Sequence, residues 1–124
     1  MSLSKVRAVK NTTTPLVVKE ETQAKIVVGK LEINPSQHQV WYDKQPIVLS
    51  IREFRLLHSL AQRPNQLMKP VDLVKNTHDL NVKQQEASNL IRPLIRTLRR
   101  KLGQSSNEEM LIETVRGVGY RLVD

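Results

Sequence analysis

Arg92, Arg96, Arg99 and Arg100 recur at spacings of four, three and one. Each residue of a helix turns about 100°, so the four share one face. Ile91, Ile95, Leu98 and Leu102 recur at spacings of four, three and four and share another face. The two faces are centred roughly 115° apart by the same geometry. One is built for a core, the next for a strong anion. A guanidinium is planar and gives two parallel hydrogen bonds to a guanine edge or to phosphate oxygens. From Lys83 to Lys101 the basic residues are Lys83, Arg92, Arg96, Arg99, Arg100 and Lys101, against the single acid Glu86. A merely solvated face would mix Glu with Lys. A membrane-surface helix would carry bulky apolar residues rimmed by Lys. This helix does neither, and its size suits the major groove of B-DNA.

A second constellation closes the chain. Thr114-Val115-Arg116-Gly117-Val118-Gly119-Tyr120-Arg121 sets Arg116 beside two glycines. Two short strands about such a turn make a hairpin. The glycines are expected to give it a flexible tip, and Val115 and Tyr120 to pack its base against the arginine helix. Arg116 at that tip suits a narrow minor groove, where negative potential is concentrated. Gly117-Val118-Gly119 is no dinucleotide fingerprint, because Leu122 stands at the third glycine position.

Other chemistries find little to use. His38, His58 and His78 lie far apart and show no H-E-x-x-H spacing, so no metal site is expected. There is no cysteine nucleophile or thiolate ligand, since the chain has no cysteine. Asp72, Asp79 and Glu86 read as cap and surface charges, not paired acids. Neither an enzyme nor a cofactor is expected. A basic RNA-binding module or a non-regulatory nucleic-acid-binding domain is the alternative; against the RNA module, aromatics are only 3% of the chain and offer no stacking platform.

The elements that must position these residues follow from pattern. Residues 1–24 read as a linker or tail, with Asn11-Thr12-Thr13-Thr14-Pro15 lacking any period. Residues 25–124 read as one domain. Ile26-Val27-Val28, Leu31-Glu32-Ile33, Val40-Trp41-Tyr42 and Ile47-Val48-Leu49 are four short strands, with turns at Gly29, at Asn34-Pro35-Ser36 and over Asp43-Lys44-Gln45-Pro46. Ser50-Ile51-Arg52-Glu53 has the form of a capping box. The helix it opens carries Phe54, Leu57, Leu60 and Ala61 as one stripe and should end before Pro64. Pro70 suits the first position of a second helix, and Asn76-Thr77-His78-Asp79 is expected to break it. A third helix begins at Gln84 or Ser88, runs through about 88–102 and stops at Gly103. Residues 104–107 read as a loop.

The whole chain of 124 residues carries 20 Lys+Arg against 12 Asp+Glu, a net charge of +8. Such an excess gives an electrostatic reason to meet a polyanion. No apolar run approaches the roughly 20 residues of a membrane helix. Met1 to Lys10 lack the apolar stretch of a signal peptide. A cytoplasmic protein without a membrane partner is expected.

Three motifs in order give the chain a resemblance. Ile112-Glu113-Thr114-Val115-Arg116-Gly117-Val118-Gly119-Tyr120-Arg121-Leu122 resembles the wing ending of OmpR/PhoB-type response-regulator effector domains. Leu98-Arg99-Arg100-Lys101-Leu102 is similar to the end of that family's recognition helix. Leu49-Ser50, Glu53-Phe54 and Leu56-Leu57 are similar to its strand-to-helix junction. The resemblance covers about 25–124. It implies an α+β winged helix-turn-helix: an N-terminal four-stranded antiparallel sheet, three helices and a C-terminal β-hairpin wing. It implies sequence-specific binding of double-stranded DNA in transcription control, with a dimer on DNA driven by a receiver domain. It also implies contact with RNA polymerase through loop 77–85. Its contact positions fall on Arg96, Thr97, Arg99 and Arg100 in the helix and on Thr114 and Arg116 in the wing. Arg92 joins them through its place on the basic face. Within this set Arg96 and Arg99 are expected to read bases and Arg100 to hold phosphate. The chain departs from the family at Thr97, often basic there, and at Leu90 and Leu94, often polar. Lys69-Pro70 replaces a Ser-Arg helix start, Pro93 stands inside the expected recognition helix, and a tryptophan after the second helix is missing.

Overall fold

In the computed structural model, which describes residues 24–103 and 111–123, four strands form a meander. They are β1 (Ile26–Val28), β2 (Leu31–Asn34), β3 (Gln39–Tyr42) and β4 (Gln45–Ile47). Every neighbouring pair is antiparallel, with Ile26 opposite Ile33, Leu31 opposite Tyr42 and Val40 opposite Ile47. The two-residue side-chain period puts Val28, Leu31, Ile33 and Val40 on the buried face. Val27, Glu32, Trp41 and Pro46 fall in one row on the other face. The expected tail lies outside the described residues except at Ala24, as does the expected loop at 104–107.

The last strand differs from the sequence expectation, which placed it over Ile47-Val48-Leu49. Asp43 and Lys44 both take positive φ, 52° and 65°, and make a two-residue hairpin turn. Gln45 and Pro46 therefore belong to β4. Proline is tolerated because β4 is an edge strand. Val48 is left 85% exposed.

Helix α1 (Ile51–Ala61) begins at the expected capping box. The Glu53 amide donates to Ser50 Oγ at 3.2 Å, and the Ser50 amide donates to Glu53 Oε1 at 2.9 Å. Phe54, Leu56, Leu57, Leu60 and Ala61 are buried. Asn65 takes the left-handed conformation, φ 67°, just after Pro64. Helix α2 (Pro70–His78) starts at its proline and buries Leu73, Val74 and Thr77. It does not break at Asn76. The Thr77 hydroxyl donates to the Leu73 carbonyl one turn back, at 2.9 Å, and so is satisfied inside the helix. The stop is Asp79, with φ 56°.

Helix α3 (Gln84–Lys101) takes the earlier of the two expected starts. Only 79–83 thus remain as connection where 77–85 was expected. Ala87, Ile91, Ile95, Leu98 and Leu102 are buried against α1 and α2. Pro93 lies in the middle of α3, exposed. It has no N–H, so the Asn89 carbonyl lacks its helical donor. Gly103, φ 76°, ends the helix. The chain closes with the hairpin β5 (Ile112–Val115) and β6 (Gly119–Leu122). Among the described residues no helix is long and apolar enough to cross a membrane.

Candidate nucleic-acid interface

Two links fix α3 in the domain. Its apolar stripe enters the core, and Lys101 near its end reaches Glu53 of α1, Nζ to Oε1 at 2.7 Å. Burial by itself would raise the Glu53 carboxyl. The Lys101 ammonium and the Ser50 donors outweigh it and leave the group below its ordinary value. One carboxylate therefore caps α1 and pins the last turn of α3.

The hairpin is held on its other side by the segment leading to α2. The Met68 amide donates to the Tyr120 carbonyl at 2.8 Å, and the Tyr120 amide returns to the Met68 carbonyl at 3.0 Å. The Asn65 amide donates to the Leu122 carbonyl at 2.7 Å. This close pairing explains Gly119. A Cβ there would stand 2.0 Å from the Met68 carbonyl oxygen and 2.8 Å from its carbon. Gly119 is a buried packing glycine, not the hinge expected from the sequence. Only Gly117, φ 81° with open space around it, serves the turn. Tyr120 is buried at the hairpin base as expected.

Between α3 and the hairpin lies an open groove of about 610 Å³, lined by Arg92, Ile95, Arg96, Arg99, Arg100, Thr114 and Tyr120. A neighbouring groove of about 590 Å³ continues past Arg92 to the first turns of α3 and the hairpin tip. Arg116, Gly117 and Val118 line it on one side, with Gln84, Gln85 and Ser88 on the other. The structure thus gathers six of the seven expected site residues around one surface. Thr97 is the seventh: it is half-buried and lines neither groove. Gln84, Gln85 and Ser88 line this surface without having been among the expected residues. The signal for them was the helix start, since a helix from Gln84 puts Ser88 one turn before Arg92.

The arginines are not alike. Arg92, Arg96, Arg100 and Arg116 are exposed, and among the described residues none of them forms an ion pair. Arg99 is half-buried and turned toward the hairpin. Its Nε and Nη2 donate to the Ile112 carbonyl at 3.2 and 2.8 Å, and Nη2 also donates to Thr114 Oγ1 at 2.7 Å. Burial lowers its pKa, with Tyr120 acting in the opposite direction. An arginine remains charged under such a shift. Helix geometry carried the hint, because Arg99 sits about 40° from Ile95 and is nearer the core stripe than Arg96 or Arg100.

The three histidines serve packing and local bonds. His38 stacks on Phe54 at 4.5 Å between centroids, His58 tilts against the same ring at 5.7 Å, and His78 Nδ1 lies 2.6 Å from Thr77 Oγ1. Among the described residues no group of three or more His, Asp or Glu is placed to hold a metal ion.

Comparison with known proteins points the same way. The family described as "Transcriptional regulatory protein, C terminal" matches residues 44–122. The transcriptional regulatory protein TcrA of Mycobacterium tuberculosis is 37% identical over 94 residues, 76% of this chain and 36% of TcrA. The chain spans about a third to a half of the length of the curated relatives it matches. The DNA-binding domain of CpxR from E. coli superposes with a TM-score of 0.70 at 29% identity, covering 81% of this chain and 96% of that one. The DNA-binding domain of Klebsiella pneumoniae RstA, solved in complex with the RstA box, also gives 0.70. Its identity is 31%, and the match covers 80% of this chain and 96% of that one.

Proposed function

The chain belongs to the family of transcriptional regulatory protein C-terminal domains, and from that premise we propose that it binds double-stranded DNA in a sequence-specific way to control transcription. One observation carries the reading. Arg92, Arg96 and Arg100 on α3 and Arg116 on the hairpin border one continuous open surface, with no acidic partner among the described residues. A helix presents such a row to the floor of a major groove, and the hairpin reaches the minor groove beside it. Arg96 reads a base edge, Arg100 and Arg92 hold phosphates, and Arg116 enters the minor groove. Thr114 adds a hydroxyl donor between them. Thr97, on the far side of Arg96, contributes at most to the backbone on that flank.

On this reading no cofactor and no catalytic step is needed. The domain pairs on DNA under a receiver domain. The connection between α2 and α3, where Leu80 is 47% exposed, faces RNA polymerase.

The test is a pair of substitutions on a duplex that the parent selects from a random-sequence pool. Arg96→Ala should cost roughly 1–3 kcal/mol and relax the preference at one base pair. Arg100→Ala should weaken all duplexes alike and lower the salt slope by about 1. Arg96→Ala weakening selected and random duplexes equally would remove base reading from Arg96.

A further inference from the structure

We propose that Arg99 is a positioning residue, which acts on DNA through the hairpin by setting the wing against α3 and aiming the Thr114 hydroxyl outward. The inference rests on the DNA-binding reading above and reassigns one member of its arginine face. Two nitrogens of the guanidinium, Nε and Nη2, converge on the Ile112 carbonyl at 3.2 and 2.8 Å. Ile112 is fully buried. A guanine contact through that edge of Arg99 would break both bonds and strip a buried carbonyl of its charged donor, which is unfavourable. Among the described residues Arg92, Arg96, Arg100 and Arg116 carry no such commitment.

The third bond says what the arrangement does. Nη2 donates to Thr114 Oγ1 at 2.7 Å, so one lone pair of that oxygen is taken by a cation. The hydroxyl keeps its own hydrogen, and the exposed side of Thr114 is where an acceptor can arrive. A hydroxyl polarised by a cation is a stronger donor to a phosphate oxygen. Arg99 thereby fixes two things at once: the angle of β5 to the helix, and the rotor of a phosphate-facing hydroxyl. The hairpin tip follows from that base, because the Val118 amide closes the turn on the Val115 carbonyl at 2.9 Å, directly beside Arg116.

Four variants of the full chain test this: Arg99→Ala, Arg99→Lys, Arg116→Ala, and Arg99→Ala with Arg116→Ala. Each is titrated with the duplex selected by the parent, carrying either A·T-rich or G·C-rich flanks, across a salt series. Amide exchange at Val118 is followed without DNA. Arg99→Ala should weaken binding on the order of tenfold, the scale of one charge-assisted bond. It should abolish the preference for A·T flanks as Arg116→Ala does, and the double variant should bind no worse than the weaker single. Base preferences under α3 should persist, and exchange at Val118 should quicken. Arg99→Lys keeps the charge but not the fork, so it should retain the salt slope and still lose flank preference. It also serves if the alanine variant does not fold. Relaxed preference at a base pair under α3 with flank preference kept would overturn the proposal, and so would multiplicative losses in the double variant. Should the parent select no duplex, the DNA-binding reading fails. Unchanged Val118 exchange in Arg99→Lys would then reject the positioning role of Arg99 separately.

Discussion

Replacing Gly119 by alanine should unfold the wing from the body of the domain. Its Cβ would meet the Met68 carbonyl oxygen at 2.0 Å, the Met68 carbonyl carbon at 2.8 Å and Lys69 Cα at 3.2 Å. All three are backbone atoms, so no side chain can swing aside. Relief requires the hairpin to move off Met68, which weakens the reciprocal bonds of 2.8 and 3.0 Å between Met68 and Tyr120. Overpacking of this kind costs about 1–3 kcal/mol, and two net hydrogen bonds add about 1 kcal/mol each. A destabilisation of roughly 3–5 kcal/mol lowers the melting temperature of a domain this size by roughly 12–40 °C. Gly117→Ala is the control. It meets nothing within 4 Å and bears only the strain of φ 81°, about 1–2 kcal/mol. Thermal and urea melts of both variants decide the matter. A Gly119→Ala protein that melts with the parent, or no lower than Gly117→Ala, would refute the close-approach reasoning.

Other expectations concern the body of the domain and can be read by the same melts. Glu53→Ala removes a cap worth about 1 kcal/mol and an ion pair worth up to about 1 kcal/mol, so stability should fall by about 1–2 kcal/mol. The Glu53 carboxyl is lowered in the fold from an ordinary value of 4.5, so its contribution is complete above that pH and is lost as pH falls through the lower folded value. Glu53→Gln should flatten that acid limb, and an unchanged limb would contradict the assignment. Tyr120→Ala should cost roughly 3 kcal/mol, as for other buried aromatics, whereas Arg116→Ala should stay within about 0.5 kcal/mol of the parent. Pro93→Ala restores a donor for the Asn89 carbonyl and should raise stability by up to about 3 kcal/mol. A lower melting temperature would show that α3 depends on its proline.

Local signals in the sequence were the readable ones. The capping box at Ser50 and Glu53, the proline start at Pro70 and the stop at Gly103 are interactions within one turn, so residue types at fixed offsets specify them. The apolar stripes of α1 and α3 were legible for the same reason. What escaped depends on partners distant in the chain. Gly117 and Gly119 are identical letters, and only Met68, some fifty residues earlier, separates a turn glycine from a packing glycine. Arg99 looked like its neighbours because helix periodicity gives a face and not a partner. Its partners, Ile112 and Thr114, are 13 and 15 residues away. The β3–β4 turn was read two residues too long because Asp43 and Lys44 adopt positive φ without the usual glycine. Thr77 was taken for a breaker because its bond to the Leu73 carbonyl cannot be seen in a residue type.

The most direct measurement is a competition titration of the full chain between duplex DNA and duplex RNA of matched length across a salt series. If Arg92, Arg96, Arg100 and Arg116 form the contact surface as proposed, binding to DNA should be the tighter. The logarithm of its affinity should fall linearly with the logarithm of salt, with a slope of about 0.9 per phosphate contacted, several units in all. Equal or tighter binding to duplex RNA, or an affinity for DNA indifferent to salt, would contradict it.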